Sequence, residues 1–234
     1  MGAGKNPKPM SLTLRVMARL LSYPDDALRG HLGELREALH TEAAIAPARL
    51  AEIDALIASL GAQSAIDAEA DYVQLFDSGR RTALHLFEHV HGDSRDRGPA
   101  MIDLAQTFER AGLYLAEGEM PDHLPVVLEY ASTQPPREAR EFLAEMAHIF
   151  NVIFSALVKR QSRYASVLGA LIELAGETAH AVQVPDEEPI DESWSEPAAF
   201  DGCSTAGQSR AGQAQPIQIV RPHAGRNAAT GARP

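Results

Sequence analysis

PREAREFLAEMAHIFNVIFSALVKR, residues 136–160, places Leu143, Met146, Phe150, Ile153 and Leu157 in alternating steps of three and four. That period returns side chains to one face of a helix, whereas a half-buried strand alternates residue by residue. Phe142, Ile149 and Phe154 widen the stripe, which predicts a central helix buried on most sides. Pro136 suits a first turn, and Lys159 and Arg160 suit the C-terminal end of the helix dipole.

The same period recurs in both directions. Downstream, Tyr164, Val167, Leu168, Leu171, Ile172 and Leu174 predict a last helix that stops at Gly176. Upstream, a short helix is expected over residues 124–131, stopped before Pro135 and Pro136. A longer one carries Met101, Leu104, Phe108, Leu113 and Leu115 to Gly118. Nearer the N-terminus, Ser11 can cap a helix with Leu14, Met17, Leu20 and Leu21 inward, and Pro24 stops it. Leu28, Leu32, Leu35 and Leu39 then form one stripe on one helix, and Leu50, Ile53, Leu56, Ile57 and Leu60 form another after Pro47. Tyr72, Leu75 and Phe76 face the core from a helix over residues 66–78. With few alternating β-branched runs and 6% aromatics, the fold class is all-α, a single helical-bundle domain of about eight to ten helices.

That domain spans residues 11–184 of the 234. Residues 1–10 are rich in Gly, Pro and Lys and are expected to be disordered. Residues 185–203 form an acidic, Pro-rich segment whose Trp194 and Phe200 can dock on the body, and residues 204–234 read as a disordered basic tail. The net charge is −11; the residues from Asp201 onward carry +3, which leaves −14 on residues 1–200. Such a body repels a phosphate backbone, so no nucleic-acid partner is expected, and it attracts a basic peptide. The single cysteine, Cys203, excludes an internal disulfide and any Cys-based metal framework within one chain. No apolar run reaches the roughly 18 residues of a membrane span, and the first helix is interrupted by Arg15 and Arg19. The expectation is a cytoplasmic protein without stable membrane insertion, with oligomeric state open between monomer and weak dimer.

Unusual chemistry concentrates in residues 72–101, YVQLFDSGRRTALHLFEHVHGDSRDRGPAM, which hold three of the nine histidines. His85, Glu88 and His89 match the H-x-x-E-H pattern of zinc peptidases, in which two imidazoles one helical turn apart share an ion. A zinc-dependent hydrolase is therefore the alternative function. Arginines on both sides, an apolar Leu86–Phe87 pair between the ligands and the lack of an evident third ligand oppose it. Arg80, Arg81, Arg95 and Arg97 can clamp a phosphate or a pterin pyrophosphate, or pair with Asp77, Glu88, Asp93 and Asp96 in a salt-bridged loop. Tyr72, Leu86 and Phe87 can floor a peptide groove or pack the core. Asp122 and His123, as a buried pair, can orient a backbone or ligand amide, or Asp122 can cap the helix that follows, and spacing favours the cap.

Four separated stretches, residues 20–26 (LLSYPDD), 72–104, 120–130 (MPDHLPVVLEY) and 194–200 (WSEPAAF), resemble the NarJ family. Its members are the dedicated assembly chaperones, or delta subunits, of respiratory nitrate reductase. The resemblance spans residues 11–203. It implies an all-helical, cytoplasmic chaperone that binds the apo catalytic subunit, notably its N-terminal leader-like segment. The client receives its molybdenum cofactor there, and the chaperone is absent from the finished enzyme. No stably bound cofactor, no bound metal and no catalysis are implied. In the wider group the loop matching MPDHL helps bind the leader, which points to Asp122, His123 and Leu124. Tyr72, Phe76, Arg80, His85, Phe87 and Glu88 match the signature and are expected to line or support the same groove.

Overall fold

The computed structural model describes residues 8–92 and 94–182, in which ten helices and no extended strand occur. They are α1 (Ser11–Leu20), α2 (Asp26–Gly30), α3 (Leu32–Glu42), α4 (Pro47–Ala62) and α5 (Ala65–Phe76). After them come α6 (Leu86–Val90), α7 (Arg97–Arg110), α8 (Leu124–Thr133), α9 (Pro136–Lys159) and α10 (Ala165–Ala175). The expected acidic segment with its Trp194 and Phe200, and the expected basic tail, lie outside the described residues.

α9 is the axis. Leu143, Phe150, Ile153 and Leu157 are each 0% exposed on it, and α10, α8 and α6 pack against it. α10 contributes Val167, Leu168, Leu171 and Ile172, also fully buried, and ends at Gly176, whose φ of 91° a Cβ would oppose. α1 bridges α8 and α3, and α4 closes the bundle against α3 and α10. α9 also has the length and apolarity of a membrane-crossing helix, contrary to the expectation that no such window exists. Half of that window is buried inside the fold, as a core helix requires.

Helix ends depart from the sequence expectation where distant groups set them. Ser11 lies inside α1 and gives its hydroxyl to the Ser132 carbonyl at 2.7 Å. The amides of Leu12 and Thr13 are instead accepted by the Glu42 carboxylate, at 3.1 and 2.7 Å, from the end of α3. A carboxylate there caps α1 and meets the positive end of its dipole. Met10, placed by composition in a disordered terminus, is 5% exposed and belongs to the core. The stripe of Leu28, Leu32, Leu35 and Leu39 is carried by two helices, broken at His31 (φ −108°, ψ 9°). α7 ends at Arg110 rather than near Gly118, because Gly112 turns with φ 79°; Leu113 and Leu115 pack against the core from the loop beyond. At the other end, Asn151 Oδ1 and Ser155 Oγ on α9 accept from the amides of His180 and Val182, fastening the last described residues along that helix.

Candidate functional site

Two segments almost forty positions apart are joined backbone to backbone beside α9. Thr82, fully buried, gives its hydroxyl to the Leu75 carbonyl and turns the chain after α5. Leu124 then donates its amide to the Leu84 carbonyl at 2.9 Å, and Leu86 donates to the Asp122 carbonyl at 3.0 Å. His85 and His123 are thereby opposed in an isolated antiparallel bridge. Opposed residues project from the same side of such a pair. Their rings stack, 5.0 Å apart and 25° from parallel.

Asp122 sits beneath them with a side chain that is 0% exposed. Its Oδ2 accepts from the Phe87 amide at 3.1 Å, and its Oδ1 lies 3.3 Å from His85 Nδ1. Asp122 is therefore a helix cap, but of α6, which lies before it in the chain, and not of α8, which it precedes. Its histidine is His85 rather than its neighbour His123. Arg97, at the start of α7, approaches Asp122 Oδ2 at 3.8 Å and Glu88 Oε1 at 3.4 Å, so a short charge network replaces a single pair.

This geometry separates the imidazoles electrostatically. The Asp122 hydrogen bond raises the His85 pKa above its usual value, against the opposing effect of burial. Burial pushes His123 down to about 4, with the neighbouring His85 adding to the effect. His89 is lowered by burial and donates from Nε2 to the Ala83 carbonyl at 2.8 Å. An unfolded His123 titrates near 6.5, so its neutral form is favoured by folding and its contribution is complete above that pH. That contribution is lost as pH falls from about 6.5 toward about 4, and His89 acts with the same sign. A His123→Phe variant, which keeps a ring in the stack and removes the titration, should lose less stability than the parent between pH 7 and pH 4.5. Urea unfolding at both pH values measures this, and equal losses in the two proteins would show that His123 is not held neutral.

The metal pattern dissolves at this level. His85 stands outside α6 at its N-cap (φ −84°, ψ 103°), so His85 and His89 do not share a helix face. They are bound to Asp122 and Ala83, and Glu88 to Arg97. Among the described residues no group of three or more His, Cys, Asp or Glu is placed to hold a metal. The spacing was right for a helix beginning one residue earlier.

The nine residues singled out from the sequence divide into four groups. His85, Phe87, Glu88 and His123 are half-buried around Asp122. Leu124, at 0% exposure, belongs to the core beneath them. Tyr72 and Phe76, 6% and 4% exposed, also face inward, and no hydrogen bond, ion pair or ring contact joins them to the Asp122 cluster. They pack with Tyr164 at centroid distances of 6.4 and 5.0 Å, and the Tyr72 hydroxyl donates to the Leu21 carbonyl at 2.8 Å. Arg80 is exposed on the turn after α5. Sequence reasoning missed a cleft of about 440 Å³ along α8, where Phe108, Leu113, Leu115, Val126 and Tyr130 meet Arg15 and Arg19 of α1. Tyr114, 81% exposed, stands at its edge. The aromatic Tyr130 within the MPDHLPVVLEY stretch was the available signal.

Comparison with known proteins places this arrangement in a lineage. NarJ, the nitrate reductase molybdenum cofactor assembly chaperone of Escherichia coli (strain K12), is 39% identical over 190 residues, 81% of this chain and 80% of that one. The nitrate reductase-like protein NarX of Mycobacterium tuberculosis (strain H37Rv) is 32% identical over 152 residues, which are 65% of this chain and 22% of NarX. A candidate redox enzyme maturation protein from Archaeoglobus fulgidus, a solved structure, shares the fold with a TM-score of 0.51, covering 72% of this chain and 94% of that one, at 21% identity. The model of the family described as nitrate reductase delta subunit matches residues 24–168, a span that includes the whole Asp122 cluster. With that match, and with NarJ aligned over most of both chains, this chain belongs to the nitrate reductase delta subunit family.

Proposed function

We propose that this protein is a non-catalytic assembly chaperone acting in the cytoplasm on the catalytic subunit of a nitrate reductase. It binds the apo subunit through that subunit's N-terminal leader-like segment, favours the state that accepts the molybdenum cofactor, and leaves the finished enzyme. NarJ of Escherichia coli carries the name of such a chaperone, and family membership brings the role here. The observation that carries the reading is the platform of His85 and His123, stacked and zipped through the backbone above buried Asp122. A surface held by backbone hydrogen bonds and a buried carboxylate is pre-organised, which lowers the ordering cost of binding a flexible peptide.

The chemistry of the partner follows. A basic amphipathic helix would bring cations to Glu88 and to a body of −14, and would set apolar side chains against Phe87 or the cleft along α8. Leu124 supports this surface from within, Arg80 lies on the turn leading to it, and Tyr72 and Phe76 pack against Tyr164 away from it. The cofactor is cargo for the client, and no chemistry on the client is required. Preference for one client state is sufficient, because a binder shifts an equilibrium only by its differential affinity.

Titration calorimetry with a peptide copied from the N-terminus of the co-expressed catalytic subunit tests the proposal. Binding is expected to be micromolar or tighter, to weaken about tenfold in His85→Ala and His123→Ala, and to weaken with added salt as exposed charges are screened. A folded protein that ignores the peptide, or binds it equally well after both substitutions, would overturn the site.

A further inference from the structure

A second cleft, of about 630 Å³, shares no residue with the Asp122 cluster. Its walls are Ser59 of α4, Gln63 just beyond that helix, Gln74 of α5, and Arg160, Arg163 and Tyr164 from the connection between α9 and α10. That connection is closed by the amides of Gln161 and Ser162, which donate to the carbonyls of Val158 and Leu157 at 2.9 Å each. The pattern is a Schellman cap, and it presents successive residues of the turn to the cleft.

The lining is dominated by donors. Guanidinium groups only donate, and amide and hydroxyl groups add to them. The one acid in the lining, Asp71, already accepts from Gln63 Nε2 at 2.7 Å. Arg163 reaches only the Ser59 hydroxyl, at 3.5 Å, and has no carboxylate partner among the described residues. Arg160 contacts the Gln74 carbonyl at 3.5 Å. Tyr164 is 7% exposed, wedged edge-on against Phe76, and its enclosed hydroxyl has no hydrogen-bond partner among the described residues. A buried hydroxyl left unmade opposes folding, and phenylalanine would fill the same space without that cost. The hydroxyl is therefore the strongest single sign that something else completes this cleft. The volume lies in the range of small-molecule sites.

We infer that this cleft binds a small oxyanion-bearing molecule, with phosphate or carboxylate oxygens held by Arg160 and Arg163 and one oxygen accepting from the Tyr164 hydroxyl. Arginine is suited to such groups because its planar fork matches their oxygens. The Tyr164 hydroxyl is enclosed, so a side chain must shift for a ligand oxygen to reach it. Residues 1–184 carry a net charge of −8, so the cleft is a local exception in sign, which makes it selective for anions.

The test uses the full chain with inorganic pyrophosphate and citrate as probes, followed by calorimetry at low ionic strength. Saturable binding is expected for at least one probe: pyrophosphate alone assigns a phosphate ligand, and citrate alone a carboxylate. Arg163→Gln should weaken it at least tenfold, and Arg137→Gln, at an exposed arginine paired with Glu141, should leave it unchanged. Tyr164→Phe should weaken binding several-fold while raising the melting temperature by about 3 °C. The inference is overturned by absence of saturable binding to either probe, by equal losses in the Arg163 and Arg137 variants, or by a lower melting temperature in Tyr164→Phe.

Discussion

Phe150→Ala is expected to lower the unfolding free energy by about 4 kcal/mol, within the range measured for deleting a buried aromatic ring. Phe150 is 0% exposed and heads the fully buried side chains by volume. It lies at the middle of α9, where Leu143, Ile153 and Leu157 are also completely enclosed and α10, α8 and α6 close around the helix. Rigid helices on several sides leave little room for collapse, so the cavity persists. Alanine has the better helix propensity by about 0.5 kcal/mol, which offsets little of the loss. Against a total stability of about 5–15 kcal/mol, the variant should melt about 10 °C lower. Val158→Ala, on the same helix at a residue 43% exposed, is the control and should stay within about 0.5 kcal/mol. Urea unfolding of the two variants measures both; a loss below about 1 kcal/mol in Phe150→Ala would remove α9 from the centre of the fold.

The reason α9 could be read from sequence is that nothing distant competes with its pattern. Its five stripe residues repeat over four turns, and the tertiary fold only has to supply partners for a face already made. α10 and α4 are legible for the same reason. Where the reading failed, the deciding group was elsewhere in the chain. The stripe of Leu28, Leu32, Leu35 and Leu39 reports which side chains face inward, but it is silent about whether one backbone helix carries them; the break at His31 leaves the stripe intact. Leu113 and Leu115 likewise pack inward from a loop. The cap on α1 comes from Glu42, thirty residues from the amide of Leu12, and no local motif announces it.

The site was harder to read, for a related reason. Short motifs describe neighbours in the chain, and this site is built by a crossing. His85 and Glu88 have the spacing of a zinc motif, yet helix α6 starts at Leu86 and each side chain finds its own partner. Asp122 stands next to His123 and pairs with His85, 37 positions away. Resemblance to a family marked both stretches as belonging together. It could not distinguish the residues gathered around Asp122 from Tyr72 and Phe76, whose rings instead wall off Tyr164. A signature reports that a residue matters, and only packing reports what it does.

Asp122→Ala should cost about 3 kcal/mol and client-peptide binding together, because in the proposed chaperone role one carboxylate serves both. Its removal leaves the Phe87 amide without its acceptor, His85 without the partner that orients it, and Arg97 with Glu88 alone. The backbone bridge survives, since it uses the Asp122 carbonyl, so the loss is local and the helical spectrum should be retained. Asp122→Asn separates the two roles: its amide oxygen can still accept from Phe87, but the negative charge is gone. The sign of the pH dependence then follows from His85. Its pKa is raised in the folded protein, so its stabilisation is fully present below about 6.5 and is lost as pH rises through the raised value. The stability difference between the parent and Asp122→Asn should therefore be larger at pH 6 than at pH 9. The His85 ring, followed by NMR, should titrate lower in the variant. A constant difference across that range would assign the carboxylate to capping alone. If Asp122→Ala melted like the parent, the buried network around Asp122 would carry no weight, and the platform beneath His85 and His123 would have to be sought elsewhere.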